Sequence, residues 1–243
     1  MLIGTKNSIT VKEKNNNNNK YFNEIFFSNR LMKIKILEGE KHIIFLKDQV
    51  TYKRKKNLNK AIFFDRDGVL IKDMHYIKDS KYVSLMKGVK EILNYTNNLG
   101  YLNIVITNQS GISRNLFTWE DYESVTNRML AMINMPGIIS AIYANGEVPN
   151  ELKSDKSWRK PNPNMIIKAS QDFNIDLSKS FLVGDRLSDI QAGYKAGLMN
   201  LIHVLTGHGE DERKKVIENY SKLKNNLNLR LINDLSYLNK IVF

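Results

Sequence analysis

At 243 residues, 42% of them hydrophobic, the chain fits one substantial α/β core with an appendage better than two full domains. It has no cysteine, which excludes a disulfide framework and any thiolate-ligated metal and agrees with a reducing compartment. Of the formal net charge of +12, +8 lies in residues 1–58, so the basicity belongs mostly to an N-terminal extension, which reads as a solvated lysine-rich segment.

Residues 1–20 lack the apolar stretch of a signal peptide, and no segment stays apolar for the length of a bilayer span. A cytoplasmic protein without membrane contact is expected. The asparagine run at 15–19 buries little and is expected to stay mobile. β-prone runs at 32–37 and 42–46, separated by Glu38, Gly39 and Glu40, predict a hairpin, and 53–56 forms a basic link. From residue 60 onward, short apolar runs alternate with helical periodicity, the pattern of βα units and a largely parallel sheet. Strands are expected at 61–64, 102–106, 138–144, 180–183 and 198–204. Helices are expected through Val89, Ile92, Leu93 and Leu99, after the N-cap Thr118 with Tyr122, Val125 and Met129 on one face, from near Pro163, and from Leu187 to Gly197. The expected organisation is an extension at 1–58, partly disordered apart from its hairpin, followed by an α/β domain at 59–243 with helices on both faces of the sheet.

In an open parallel sheet, ligands bind beyond the carboxyl ends of the strands. Four such positions carry chemistry. The first run ends in Asp65-Arg66-Asp67-Gly68, where one carboxylate can attack phosphorus and a second can protonate a leaving oxygen and then activate water. Alone, this pattern could equally be a turn or a calcium-type loop. The second run ends in Thr107-Asn108-Gln109-Ser110-Gly111, a tip able to donate several hydrogen bonds to phosphoryl oxygens, though also a common polar turn. Arg159-Lys160-Pro161 places a fixed cation at the entry to a helix, where it can neutralise a transferring phosphoryl group. In Gly184-Asp185-Arg186-Leu187-Ser188-Asp189, Asp185 can complete an oxygen ligand set for Mg²⁺ with Asp65 and the backbone carbonyl of Asp67, and Asp189 is read as a cap or an orienting group. The four histidines, His42, His75, His203 and His208, show no metal-ligand spacing and read as surface or turn residues, His75 excepted for its closeness to the first loop.

Taken in order, these four words resemble the motifs of the haloacid dehalogenase (HAD) superfamily of phosphatases, over about residues 60–206. The resemblance implies a HAD-like, three-layer Rossmann-like fold with a minimal cap, a Mg²⁺ cofactor, and hydrolysis of a phosphate monoester through an aspartyl-phosphate intermediate. It points to the small-capped branch that contains heptose bisphosphate and histidinol phosphate phosphatases. Ser113-Arg114 and the stretch from Asp73 to Tyr76 look like substrate loops of the heptose type.

By the same resemblance, Asp65 is the nucleophile, Asp67 the general acid and base, and Thr107 and Lys160 the holders of the phosphoryl group. Asp73, Tyr76, Asn108, Gln109, Ser110, Arg114, Arg159 and Arg186 would contact substrate, and Asp65, Asp67 and Asp185 would hold the metal. Arg186 stands where many relatives carry Lys, which changes the geometry of any anion contact. Many relatives also carry a zinc loop before the Arg-Lys-Pro word; residues 145–158 contain neither cysteine nor histidine, so no zinc is expected, and packing of Trp158 or a mobile loop would take its place. A small sugar phosphate is the expected partner, with a monomer favoured and nucleic acid not expected. The leading activity is heptose 1,7-bisphosphate 7-phosphatase, in nucleotide-activated heptose synthesis for lipopolysaccharide or capsule. Histidinol phosphate phosphatase, a polynucleotide 3′-phosphatase, or a binding module with a decayed site stand as alternatives.

Overall fold

The strand at the centre of the sheet, β4 (Lys60–Phe64), is apolar on both sides and fully buried along Ala61–Phe64. Alternation along a strand sends Ile62 and Phe64 into one layer and Ala61 and Phe63 into the other. The computed structural model describes residues 24–25, 32–37, 41–47, 58–149, 156–221 and 227–240. The asparagine run and the basic link at 53–56 lie outside these.

The strands are β1 (Glu24–Ile25), β2 (Met32–Leu37), β3 (His42–Lys47), β4, β5 (Tyr101–Asn108), β6 (Ile139–Asn145), β7 (Phe181–Gly184), β8 (Asn200–Val204) and β9 (Asn228–Ile232). They form one sheet in the order β1-β2-β3-β6-β5-β4-β7-β8-β9. The six strands from β6 to β9 in this order are parallel, while β1, β2 and β3 add an antiparallel edge. The chain moves outward from β4 first through β5 to β6 and then, in the opposite direction, through β7 and β8 to β9. The reversal opens a crevice at the carboxyl end of β4, between β5 and β7, which is where an open α/β sheet takes its ligand.

Helices cover both faces, as the periodicity predicts. On one side lie α1 (Val89–Asn98) and α2 (Trp119–Ile133), which bury Ile92 and Leu93 and Tyr122, Val125 and Met129 respectively against Ile62, Phe64 and Ile142. Thr118 caps α2 through a full capping box with Asp121, its hydroxyl accepting from the Asp121 N–H at 3.2 Å. On the other side, α3 (Asn164–Phe173), α4 (Leu187–Ala196) and α5 (Gly209–Tyr220) pack on Ala61, Phe63, Ile104 and Leu182. Asn103 is a polar exception within β5. Its side chain accepts from Thr96 Oγ1 at 2.7 Å and donates to the carbonyls of Leu93 and Ile138, which joins β5 to α1 and to the segment entering β6.

Two findings go beyond the sequence pattern. The expected hairpin forms, and its second strand, β3, pairs with β6 and buries Ile43 and Phe45 in one layer and Ile44 in the other. The extension thus supplies strands to the sheet of the α/β domain. After residue 204, α5 and β9 continue the alternation where no element was expected. α5 is mostly charged and buries little besides Gly209 and Val216, and β9 buries only its last residue, Ile232, so neither carries a strong apolar pattern. If β3 belongs to the cooperative core, Ile44→Ala should lower stability by about 2–5 kcal/mol, read as a shift of the urea midpoint at constant slope.

Candidate active site

The crevice floor is made of residues that leave the strands. Asp65 follows β4, its backbone N–H bonded to the Val183 carbonyl at 3.0 Å, and it is 8% exposed. Lys160 meets it from the α3 approach: the ammonium lies 2.9 Å from Asp65 Oδ1 and 2.6 Å from Asp189 Oδ1, and donates to the Ile106 carbonyl at 3.1 Å. Asn108, at the end of β5, exchanges two hydrogen bonds with the backbone of Lys160, 3.1 and 3.2 Å long, which fixes that segment to the sheet. Burial opposes the lysine's charge, but Asp189 and Asp65 hold its pKa above the ordinary lysine value.

Asp67 faces a different cation. The buried Arg66 guanidinium grips both Asp67 oxygens through Nε and Nη2 at 3.0–3.3 Å and stacks 4.6 Å from the centre of the Tyr122 ring. Gln109 closes the ring of contacts. Its amide nitrogen donates to Asp67 Oδ2 at 2.7 Å and to Thr107 Oγ1 at 2.8 Å, and its oxygen accepts from Arg66 Nη2 at 3.1 Å. Two carboxylates two residues apart therefore sit in different fields, one against an ammonium and one against a guanidinium.

Asp185 follows β7, is fully buried, and accepts the His208 N–H on Oδ2 at 2.7 Å. Its Oδ1 is buried with no hydrogen-bond partner. Oxygens of Asp65, Asp185 and Asp189 all lie within 4.8 Å of one another. Burial, followed by the neighbouring carboxylates, pushes Asp65 up to about 7 and Asp185 up to about 8. Three buried carboxyl groups share a single ammonium, so their full ionisation calls for a further cation, and Asp185 keeps an oxygen without a partner; both features suit a hard divalent cation with oxygen ligands. Two glycines keep the space clear. A Cβ on Gly207, whose φ is +61°, would fall 2.2 Å from Asp185 Oδ2 and 2.6 Å from the Gly68 Cα, and one on Gly68 would also strike Asp185.

A cavity of about 400 Å³ opens above this floor. Twelve of the thirteen residues singled out from the sequence line it; the thirteenth, Asp185, is enclosed behind them. Arg114, Arg159 and Arg186 share its outer wall, close enough that, after burial, the charges of Arg114 and Arg186 push the Arg159 pKa down. Asn108 and Gln109 differ from expectation in emphasis, because their side chains are bonded to protein groups. Asp189 is more central than a cap: one oxygen accepts the Arg186 N–H at 3.0 Å and the other meets Lys160.

The histidines need correction. His203 is fully buried; Arg213 Nε donates to its Nδ1 at 3.1 Å, so Nε2–H donates to the Asp185 carbonyl at 2.9 Å. His42 stacks on Trp158 with ring centres 4.7 Å apart and lies 3.6 Å from Glu147, which in turn accepts the Ser157 hydroxyl. His208 meets Asp73. The partners of His42 and His208 lie more than a hundred residues away, and those of His203 on the elements before and after its strand, so linear spacing held no sign of them. Packing of Trp158 does hold the loop before Arg159, within its described part.

This fold, with a buried Asp-x-Asp strand end facing a lysine and a second pair of aspartates, defines a phosphatase of the haloacid dehalogenase class. The chain belongs to the family described as polynucleotide kinase 3 phosphatase, whose model matches residues 60–222. It is 39% identical over 145 residues to the D-glycero-alpha-D-manno-heptose-1,7-bisphosphate 7-phosphatase of Burkholderia mallei, covering 58% of this chain and 77% of that one. It is 37% identical over 144 residues to the D-glycero-beta-D-manno-heptose-1,7-bisphosphate 7-phosphatase of Helicobacter pylori, covering 58% and 81%. Among solved structures, a HAD-like phosphatase of Mesorhizobium loti superposes with a TM-score of 0.68 at 27% identity, covering 84% and 93% of the two chains. The D,D-heptose 1,7-bisphosphate phosphatase of B. bronchiseptica, complexed with magnesium and phosphate, superposes with a TM-score of 0.65 at 26% identity, covering 74% and 96%. Among the described residues, no helix is long and apolar enough to cross a membrane.

Gly207→Ala should force Asp185 out of place and lower kcat/KM by about 10²-fold, with the chain still folded by circular dichroism.

Proposed function

We propose that this chain hydrolyses the 7-phosphate of a D-glycero-D-manno-heptose 1,7-bisphosphate, acting in the cytoplasm as a monomer. The observation that carries this reading is the pairing, in one cavity, of a phosphoryl-sized centre at Asp65 and Lys160 with three guanidiniums on the outer wall. A substrate with phosphates at both ends satisfies both. The names of the relatives in Burkholderia mallei and Helicobacter pylori support the sugar, and they differ in anomer.

In this reading Asp65 attacks phosphorus, and the ester oxygen leaves with a proton from Asp67. Water then attacks the aspartyl phosphate while Asp67 takes its proton, which frees inorganic phosphate and restores Asp65. Arg66 and Gln109 hold Asp67 in place, and Gln109 also orients Thr107. Lys160 and Thr107 hold the oxygens of the transferring group, with the buried Lys160 ammonium neutralising its charge. Asp73, Tyr76 and Ser110, together with the arginines, position the sugar and its second phosphate. Asp65, Asp185, Asp189 and the Asp67 carbonyl are the groups that would hold Mg²⁺, which when bound offsets carboxylate charge and polarises the phosphoryl group.

The test is a phosphate-release screen over sugar bisphosphates, with and without Mg²⁺. The expected result is Mg²⁺-dependent release from the 7-position leaving heptose 1-phosphate, no turnover by Asp65→Asn, and a fall in kcat of about 10²–10⁴-fold for Asp67→Asn. Inactivity on every sugar bisphosphate beside good turnover of histidinol phosphate would overturn the substrate. The description of the matching family favours a second reading, a polynucleotide 3′-phosphatase using the basic extension to hold DNA. Salt-sensitive release of phosphate from a 3′-phosphorylated oligonucleotide would select it.

A further inference from the structure

At the rim of the cavity a second group of metal-type ligands converges, separate in chemistry from the buried carboxylates. Donor atoms of Asp73, His75 and His208 all lie within 4.8 Å of one another. Asp73 and His75 come from the loop after β4, and His208 from the residue before α5, so chain segments more than a hundred residues apart meet here. We infer that Asp73, His75 and His208 form a second divalent-metal site, one that takes a transition ion such as Zn²⁺ rather than Mg²⁺.

The ligand chemistry carries the distinction. Two imidazoles and one carboxylate are the donor set of zinc and non-haem iron sites, whereas Mg²⁺ favours oxygen and keeps its waters. His208 Nε2 is shielded from solvent and lies 2.9 Å from Asp73 Oδ2, yet it makes no hydrogen bond there. Two ligands of a tetrahedral ion at about 2.1 Å stand about 3.4 Å apart, so this pair would have to open by about half an ångström to share one, a change that side-chain rotation at the cavity rim can supply.

The backbone is also bent to bring the group together. His75 and Tyr76 have φ of 48° and 63°, consecutive left-handed residues without a glycine, a conformation that persists where the surroundings impose it. The His75 N–H donates to Asp73 Oδ1 at 2.9 Å, leaving Oδ2 toward His208, and the two imidazole rings stand 5.7 Å apart. Asp73 and His75 line the cavity wall, so an ion held by them would border the substrate space. Through its N–H, His208 also holds Asp185, which ties this rim site to the carboxylate site by one residue.

The inference is tested on the full chain with Mg²⁺ saturating, by titrating Zn²⁺ against a chromogenic chelator and by recording the visible bands of added Co²⁺. One Zn²⁺ per chain is expected to remain bound in the presence of Mg²⁺. His75→Ala and His208→Ala should each weaken it at least 10-fold, and the pair should remove the Co²⁺ bands, while Asp65→Asn leaves both intact. Because His75 is exposed, its variant decides the matter even if His208→Ala fails to fold. Zinc affinity unchanged in His75→Ala, or zinc displaced by Mg²⁺ and lost in Asp65→Asn, overturns the site.

Discussion

Lys160 keeps an ammonium, 3% exposed, between the carboxylates of Asp65 and Asp189, and in a low-dielectric interior neither sign can be left alone. The surrounding structure is arranged to hold that triad. β4 delivers Asp65, α4 delivers Asp189 in its first turn, and the two bonds from Asn108 hold the loop that delivers Lys160. Asp185 lies beyond the reach of the ammonium and is the carboxyl group with an orphaned oxygen. The imbalance between one fixed cation and three acids is what gives the site its appetite for a mobile one.

The Asp65-Arg66-Asp67 tripeptide separates two tasks that a pair of identical side chains would otherwise share. Asp65 is raised by burial and partly restored by Lys160. Arg66 places its own charge under Asp67 and keeps it there by stacking on Tyr122 from α2. Burial alone would weaken the guanidinium, but the charge and hydrogen bonds of Asp67, with Tyr122 and Asp65, together outweigh it and keep the arginine more basic than usual. A helix on one face of the sheet thus steadies an acid on the crevice floor, and the two helical layers serve different halves of the site.

Much of this was legible in the linear chain, for physical reasons that can be named. Buried parallel strands show as apolar runs on both faces, so β4, β5 and β7 were readable, and polar residues at their ends marked the crevice. The cap at Thr118 was visible because capping is local. α5 and β9 were not, since a charged helix and a short, half-exposed strand bury too little to leave a pattern. The roles of His42, His203 and His208 were hidden for another reason: each depends on a partner brought by a distant element. Asp189 fell between these cases. Its place one helical turn after Asp185 was plain, but its contact with Lys160 arises only when α4 meets the α3 approach.

The stacking of His42 on Trp158 ties the fate of the N-terminal hairpin to the segment that carries Arg159 and Lys160. β3 lies outside the parallel part of the sheet, yet it braces the loop next to the reacting centre. Drift in the first fifty residues would therefore be felt as altered fit for substrate rather than as loss of a tail. A chimaera joining this catalytic half to another leader would have to carry His42 and Trp158 across as a matched pair.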